Sequence, residues 1–362
     1  MKILYVITGL GQGGAERVVC DLADKMFEKG HDVKIAYLTG NVLTKPIYSE
    51  IELIKINLNN VLSFPIAYLR LSNIIRNFIP DVIHSHMIHA NILTRLIRLI
   101  TPMKKLICTA HNSDEGGRTR MLTYRITHRL ADLTTNVSHE AAKAFIVKKA
   151  VPDTDIITTY NGIDLAKFYY QVDARDIILN ELKLSEDNCL ILAVGRFNHQ
   201  KDYPNLLHAF KILKNRGISK TKLVIAGDGE LRNEIETKIS ELNLKHDVIL
   251  LGRRHDIPTL MSAADLFVLP SAYEGFGLVV AEAMACETMV VATDCGGVAE
   301  VLNNDNFLIP PSNPEELAGK ILYSLSLDKA LKSEILLKNI HHVRNNFSLD
   351  EIVKKWIELY RE

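Results

Sequence analysis

The sequence predicts two successive doubly wound α/β units. Three observations carry that expectation. β-branched apolar runs alternate with amphipathic helical patterns along the chain, the alternation restarts once near residue 190, and glycine-rich or polar stretches follow the apolar runs directly. Near-continuous apolar strands are those covered by helices on both faces, as in parallel sheets. A length of 362 residues suits two domains.

Residues 3–8 form the first strand and run into a glycine loop containing Gly9, Gly11, Gly13 and Gly14. Over 15–29, Val18, Val19, Leu22, Ala23 and Met26 recur at helical spacing until Gly30 ends the helix. Residues 33–38 and 51–56 are strands, and a helix over 64–77 stops before Pro80. Short strands at 82–84, 106–109 and 133–137 bring in polar residues, whereas 41–63 carries little pattern. Residues 160–168 read as irregular and 173–186 as polar. The second series has strands at 190–194, 222–226, 248–251, 266–269, 289–292 and 306–309, with helices over 205–215, 232–242, 278–285 and 314–324. The expected domains are 1–170 and 171–348, followed by an amphipathic stretch at 349–362 that could pack on either.

Basic and acidic residues balance at 43 each, which argues against a wholly basic nucleic-acid binder and against an acidic disordered chain. The balance conceals an asymmetry: residues 1–175 carry a net +6 and the remainder a net −6. The opening MKILYVITGLGQGG reads as a strand entering a loop, not as a secretory signal, and no apolar window is long enough to span a bilayer. Five cysteines without a CxxC pair read as free buried thiols of a reducing compartment.

In open parallel sheets, ligands bind beyond the carboxyl ends of the strands. Gly9, Gly11 and Gly14 satisfy G-x-G-x-x-G there, but a dinucleotide site also needs an acid at the end of the second strand, where Leu38, Thr39 and Gly40 stand. The loop otherwise reads as backbone amides facing an anion or a sugar, or as a bare turn needing positive φ. After the strand at 266–269 comes PSAYEGFG, with Glu274 in the loop and Glu282 on the following helix. The amides of Gly275, Phe276, Gly277 and Leu278 mark a helix start suited to phosphate or sugar oxygens, and a carboxylate can clamp vicinal hydroxyls. Glu282 has Val279, Val280, Ala281, Ala283 and Ala285 around it, so a solvated charge is the weaker reading. GRFNHQK at 195–201 supplies Arg196 and Lys201, a fork and a point charge able to converge on a diphosphate; a solvated surface pair is the alternative. Arg253, Asp256 and Ile257 could border a nucleobase pocket. Among His84, His86, His89, His111, His128 and His139, His111 follows a strand directly, as a site residue or a core histidine; none has zinc-ligand spacing, and DTD at 153–155 reads as a turn.

GLGQGGAE at 9–16, His111 after its strand, NGID at 161–164, GRFNHQK at 195–201 and the glutamates eight apart around GFG at 274–282 together resemble the retaining glycosyltransferase family 4, of the bacterial surface-polysaccharide type, over nearly the whole chain. The resemblance implies the GT-B fold, two Rossmann-like domains facing across a cleft, with the C-terminal helix returning to the first domain. It implies that Glu282 binds the donor ribose, Glu274 the hydroxyls of the transferred sugar beside the amides of Phe276 and Gly277, and Arg196 and Lys201 the nucleotide diphosphate. Gly13 and Gly14 would approach the phosphate or sugar, and His111 would lie near the reaction centre. Asn161 would belong to the interdomain segment, and Glu16, His86 and Asn112 to the acceptor side. No metal or other cofactor is implied.

The implied reaction moves a hexose or N-acetylhexosamine, with retention, from a nucleotide-diphosphate sugar (UDP favoured over GDP) to a polyprenyl-diphosphate-linked saccharide in O-antigen or capsule assembly. Arg95, Arg98, Lys104, Lys105, Arg118, Arg120, Arg125 and Arg129 face only Asp114 and Glu115 within 95–129, a net +6 interleaved with apolar residues. That stretch is expected to lie on the anionic inner face of the cell membrane, making the protein cytoplasmic and peripheral; a solvated helix face is the alternative. Rival readings are a GT-B sugar-nucleotide epimerase, a dinucleotide-dependent oxidoreductase lacking its ribose acid, and a non-catalytic sugar-binding protein, which need not have kept all four of Arg196, Lys201, Glu274 and Glu282.

Overall fold

The computed structural model describes residues 1–362, the side chain of Val61 excepted. The chain forms two compact units, Met1–Gly162 together with Leu349–Glu362, and Ile163–Ser348.

The first unit runs β1 (Lys2–Gly9), α1 (Gly14–Glu28), β2 (Asp32–Thr39), β3 (Glu52–Lys55), α2 (Phe64–Phe78), β4 (Val82–His86), α3 (Ile88–Ile97), β5 (Leu106–Ala110), α4 (Arg118–Thr127), β6 (Leu133–Asn136), α5 (His139–Val147) and β7 (Ile156–Thr158). Its strands form one parallel sheet ordered β3-β2-β1-β4-β5-β6-β7. β4 and β5 are buried at every position, as two-sided helix cover demands. α1 buries Val18, Val19, Leu22, Ala23 and Met26 on one stripe, the helical spacing legible in the sequence.

The second unit runs α6 (Ala174–Leu182), β8 (Cys189–Val194), α7 (Tyr203–Asn215), β9 (Thr221–Ala226), α8 (Arg232–Glu241), β10 (Val248–Gly252), α9 (Ile257–Ala263), β11 (Leu266–Leu269), α10 (Leu278–Ala285), β12 (Val290–Thr293), α11 (Val298–Leu302), β13 (Leu308–Ile309), α12 (Pro314–Ser326) and α13 (Lys329–Phe347). Its parallel sheet is ordered β10-β9-β8-β11-β12-β13. Both sheets therefore reverse direction beside their first strand, between β1 and β4 and between β8 and β11, the switch points at which such sheets bind ligands. The stretch 173–186, read as polar, contains α6, which buries Ala174, Ile178 and Leu179.

The last helix, α14 (Leu349–Arg361), belongs to the first unit and buries Leu349, Ile352, Val353, Trp356 and Tyr360. Tyr360 Oη meets Nδ1 of His84 on β4 at 2.6 Å and Oη of Tyr5 on β1 at 3.2 Å. Trp356 lies against the His84 ring, centroids 4.4 Å apart. The helix thus docks on the sheet through rings, with the Tyr360 hydroxyl paired to His84 and Tyr5.

The basic stretch 95–129 is not the single surface its charge count suggests. Arg95 is fully buried, with its guanidinium over the Tyr124 ring and an NH2 bond to Thr134 at 2.8 Å. Arg98 is held bidentate by Asp132, Lys104 by Asp81, and Lys105 by the carbonyl of Leu359. Ile97, Met121 and Tyr124 are core residues, and Glu115 is buried. What stays exposed is Arg118, Arg120, Arg125 and Arg129 along and just after α4, with Leu122 and Ile126 between them. Asp132 and Asp81, distant in sequence, neutralise Arg98 and Lys104, which a window count cannot register.

Replacing Trp356 by Ala deletes the ring that seats α14. The expected loss is about 3–5 kcal/mol of unfolding free energy, read by urea denaturation.

Candidate functional site

In the second unit the switch point brings together the loops after β8 and β11. The carbonyl of Gln200 accepts the amide of Ala272 at 2.8 Å, so the loops are joined through their backbones. Lys201 Nζ then reaches Glu274 Oε1 at 2.6 Å, Ser271 Oγ donates to the same oxygen at 2.7 Å, and Gln200 Nε2 donates to Oε2 at 3.1 Å. Glu274 is 8% exposed. A buried carboxylate persists as an ion only when its oxygens are this well occupied. Ser271 is itself fixed, its carbonyl accepting Thr293 Oγ1 at 2.6 Å.

The tight turn depends on glycine at two places. Gly296 has φ +57°, and a Cβ there would lie 1.9 Å from the Glu274 carbonyl. Gly277 caps α10 with φ +87° and packs against Val298. No side chain caps α10, so its first turn offers backbone donors at the place where Glu274 is held. Gly275 and Phe276 lie buried in this loop, Leu278 opens α10, and Glu282 is half-buried at the helix's fifth position.

Arg196 and Lys201 do not converge on one group here. Arg196 is exposed and pairs with Glu230, Nε to Oε2 at 3.1 Å, while Lys201 belongs to Glu274. The two pairs differ physically. The exposed one is worth at most about 1 kcal/mol, so a diphosphate could take over the guanidinium. Removing one partner of the buried one would cost about 3–5 kcal/mol by stranding the other charge. Of the residues expected beside a base, Arg253 is exposed, Ile257 opens α9, and Asp256 is claimed by Arg254 at 2.7 and 2.8 Å, which holds its carboxyl below the usual range.

In the first unit, Gly13 and Gly14 are exposed at the start of α1. Neither Gly9, Gly11 nor Gly13 adopts a left-handed φ; a Cβ on Gly13 would instead lie 2.4 Å from Glu16 Oε2. The loop therefore does not need glycine for backbone handedness, and at Gly13 the crowding comes only from the flexible Glu16 carboxylate. β2 ends at Thr39, whose hydroxyl donates to Asn59, so no carboxylate stands where a dinucleotide ribose would require one.

His111 follows β5 and is buried, with Nε2 3.0 Å from His86 Nδ1. Glu115 holds this corner: its buried carboxylate accepts the amides of His111 and of Ile88, each at 3.0 Å, tying the loop after β5 to the start of α3. Burial raises the Glu115 carboxyl and those amides oppose it. Burial pushes His111 down to about 4 and His86 well below its ordinary value, so both rings are neutral at pH 7. Asn112 is half-buried, its carbonyl accepting Asn136 Nδ2 at 3.3 Å, and Asn161 is buried near the end of the unit's first segment. Sequence reading missed Ser271, Gln200 and Glu115. The first two sit within four residues of Glu274 or Lys201, a proximity that could have flagged them; Glu115 gave no signal beyond being one of two acids in a basic stretch.

Two family profiles match the chain in tandem: "Glycosyltransferase Family 4" over residues 12–167 and "Glycosyl transferases group 1" over residues 174–338. The chain is 29% identical over 292 residues to the UDP-Gal:alpha-D-GlcNAc-diphosphoundecaprenol alpha-1,3-galactosyltransferase of Escherichia coli, covering 77% of this chain and 75% of that one. It is 27% identical over 356 residues, 92% of each chain, to the N-acetylgalactosamine-N,N'-diacetylbacillosaminyl-diphospho-undecaprenol 4-alpha-N-acetylgalactosaminyltransferase of Campylobacter jejuni. Among solved structures, Anabaena HepE in complex with UDP and glucose superposes with a TM-score of 0.85 at 22% identity, covering 99% of both chains. Sucrose-phosphate synthase of Thermosynechococcus elongatus gives 0.88 at 21%, covering 100% of this chain and 98% of that one. The protein belongs to the glycosyltransferases built from a family 4 first domain and a group 1 second domain, and its fold is GT-B.

A histidine depressed to about 4 in the folded state lets the unfolded chain bind its proton first. His111 therefore contributes about 3 kcal/mol in full above pH 6.5, and that contribution is lost as pH falls toward 4. Glu115, shifted upward, acts in the opposite direction over the acid range. The expected result is a shallower fall in urea-unfolding free energy between pH 6.5 and 4 for His111→Asn than for the unchanged protein.

Proposed function

We propose that the protein transfers a hexose or N-acetylhexosamine from UDP, with retention, to a sugar hydroxyl on an undecaprenyl-diphosphate-linked acceptor during O-antigen or capsule assembly. The observation that carries this reading is the buried Glu274, held by Lys201, Gln200 and Ser271 beside the uncapped start of α10. It is a preorganised set of a carboxylate, a cation and backbone donors, the mixture a sugar diphosphate requires. The names of the Escherichia coli and Campylobacter relatives specify lipid-diphosphate acceptors, and HepE binds UDP, which supports the substrate classes.

In this reading Glu274 accepts hydroxyls of the transferred sugar, with the amides of Gly275, Phe276, Gly277 and Leu278 beside it, and Glu282 accepts the ribose hydroxyls. Lys201 and Arg196, the latter released from Glu230, stabilise the departing diphosphate, on which negative charge grows in the transition state. The bond from the anomeric carbon to the phosphate oxygen breaks. The acceptor oxygen bonds to the same face, and its proton passes to the departing phosphate oxygen. His111, neutral, offers a hydrogen-bonding imidazole to the sugar, and Gly13 and Gly14 leave room for phosphate or sugar atoms. Glu16, His86 and Asn112 serve the acceptor side. With Asp256 held by Arg254, the backbone around Arg253 and Ile257 is what remains to read a base edge. The charge of the diphosphate is met by side chains, so the reaction requires no resident metal.

No helix among the described residues is long and apolar enough to cross a membrane. The acceptor is reached instead by peripheral attachment to the cytoplasmic leaflet through Arg118, Arg125, Leu122 and Ile126 of α4.

The test is a panel of nucleotide sugars scored for slow hydrolysis, then for transfer to synthetic lipid-diphosphate saccharides, in excess EDTA, with the product anomer read by NMR. UDP release and a product of the donor's configuration are expected; an inverted product or loss of activity in EDTA would contradict the proposal. Glu282→Ala and Arg196→Ala are expected to lower transfer at least 100-fold with unchanged unfolding midpoints. They are cleaner probes than Lys201, whose loss strands Glu274. For the membrane contact, co-sedimentation with anionic vesicles is expected at low salt, and Arg118→Glu/Arg125→Glu should abolish it. Equal pelleting with neutral vesicles would count against an electrostatic contact.

A further inference from the structure

The first unit contains a recess that the donor chemistry leaves unused. It lies at the carboxyl ends of β1 and β2, under α3 and α4, with a volume of about 520 Å³, within the usual range of ligand sites. Leu58, Phe64, Ile92 and Leu93 make most of its surface hydrocarbon, with Thr39, Asn59, Asn60, His89 and Thr123 adding polar points. Thr8, near the end of β1, also lines it, and Thr8 Oγ1 is buried without a hydrogen-bond partner among the described residues. Arg120 of α4 lines it as well, anchored by an NH1 bond to the Glu115 carbonyl at 3.0 Å.

These features select an occupant. A free saccharide would set many of its hydroxyls against hydrocarbon, which forms most of the surface, and a neutral hydrocarbon would make no use of Arg120 or of the orphaned hydroxyl. The helix that supplies Arg120 reads RTRMLTYRIT, three arginines with no acid, and Arg118 and Arg125 are exposed on it. Apolar lining next to concentrated positive charge is complementary to a hydrocarbon joined directly to a multiply charged anion.

We propose that this recess holds the isoprene units nearest the diphosphate of a polyprenyl-diphosphate acceptor, with Arg120 on the phosphates. The inference rests on the lipid-diphosphate acceptor proposed above and assigns it a site. A head-group oxygen then supplies the partner that Thr8 lacks. Specificity follows from the two halves of the site together: the anion alone or the chain alone binds weakly.

Farnesyl diphosphate, farnesol and inorganic diphosphate serve as probes in calorimetric titration of the full chain, beside UDP as a probe of donor binding. Farnesyl diphosphate is expected to bind at least 10-fold more tightly than either fragment. Ile92→Trp, which fills the recess, should weaken farnesyl diphosphate at least 10-fold. Arg120→Gln, at an exposed position, should do the same while leaving farnesol unchanged. Unfolding midpoints confirm that the variants fold, and Arg120→Gln decides alone if Ile92→Trp does not. Farnesyl diphosphate binding that is no tighter than that of inorganic diphosphate, or that survives the substitutions, overturns the assignment. Absence of UDP binding to the unchanged protein would defeat the glycosyl-transfer reading instead, so the two failures are distinguishable.

Discussion

The second unit is organised around one buried ion pair, Lys201 with Glu274. The pair is sustained because Ser271 and Gln200 also donate to the carboxylate and because the loops after β8 and β11 are joined through their backbones. Those loops meet because β11 lies beside β8 in the sheet although β9 and β10 come between them in the chain. Topology creates the meeting point, and the buried charges then prescribe which side chains stand there. Gly296 and Gly277 are needed because the loop packs too closely for a side chain at either position.

The first unit uses a buried carboxylate differently. Glu115 accepts backbone amides, not a cation, and in doing so sets the corner from which His111 meets His86. Desolvation keeps this histidine cluster neutral, and neutral rings donate or accept hydrogen bonds without imposing charge. On the same strand His84 is part of the ring contacts that seat α14. The polar residues of β4 thus link the docking of the last helix to the loop that carries His111.

Much of the fold was legible because its strands are apolar on both faces and its longer helices carry clear stripes. The helices α3, α4, α5, α9, α11 and α13 were not: most are short, α3 is buried nearly all round with Asn91, Thr94 and Arg95 inside, and α13 buries its stripe only from Ile335 onward. The site was legible in its residue types: glutamates flanking a glycine turn and cations after a strand are recognisable in a linear chain. Their pairing was not. Arg196 and Lys201, five positions apart, engage different carboxylates, and Asp256 is drawn to Arg254. The positive excess of residues 95–129 was real as a count and misleading as a surface, because Arg95 lies in the core and Asp81 and Asp132 approach from elsewhere in the chain.

By itself the sequence determined the class of fold, the strand ends at which chemistry occurs, and the family. Those depend on local periodicity and on short motifs read in order. Only the tertiary structure decided which charges are paired, which are buried, and which hydroxyls are left without a partner. Burial and pairing depend on distances between segments far apart in the chain, and linear spacing carries no measure of them.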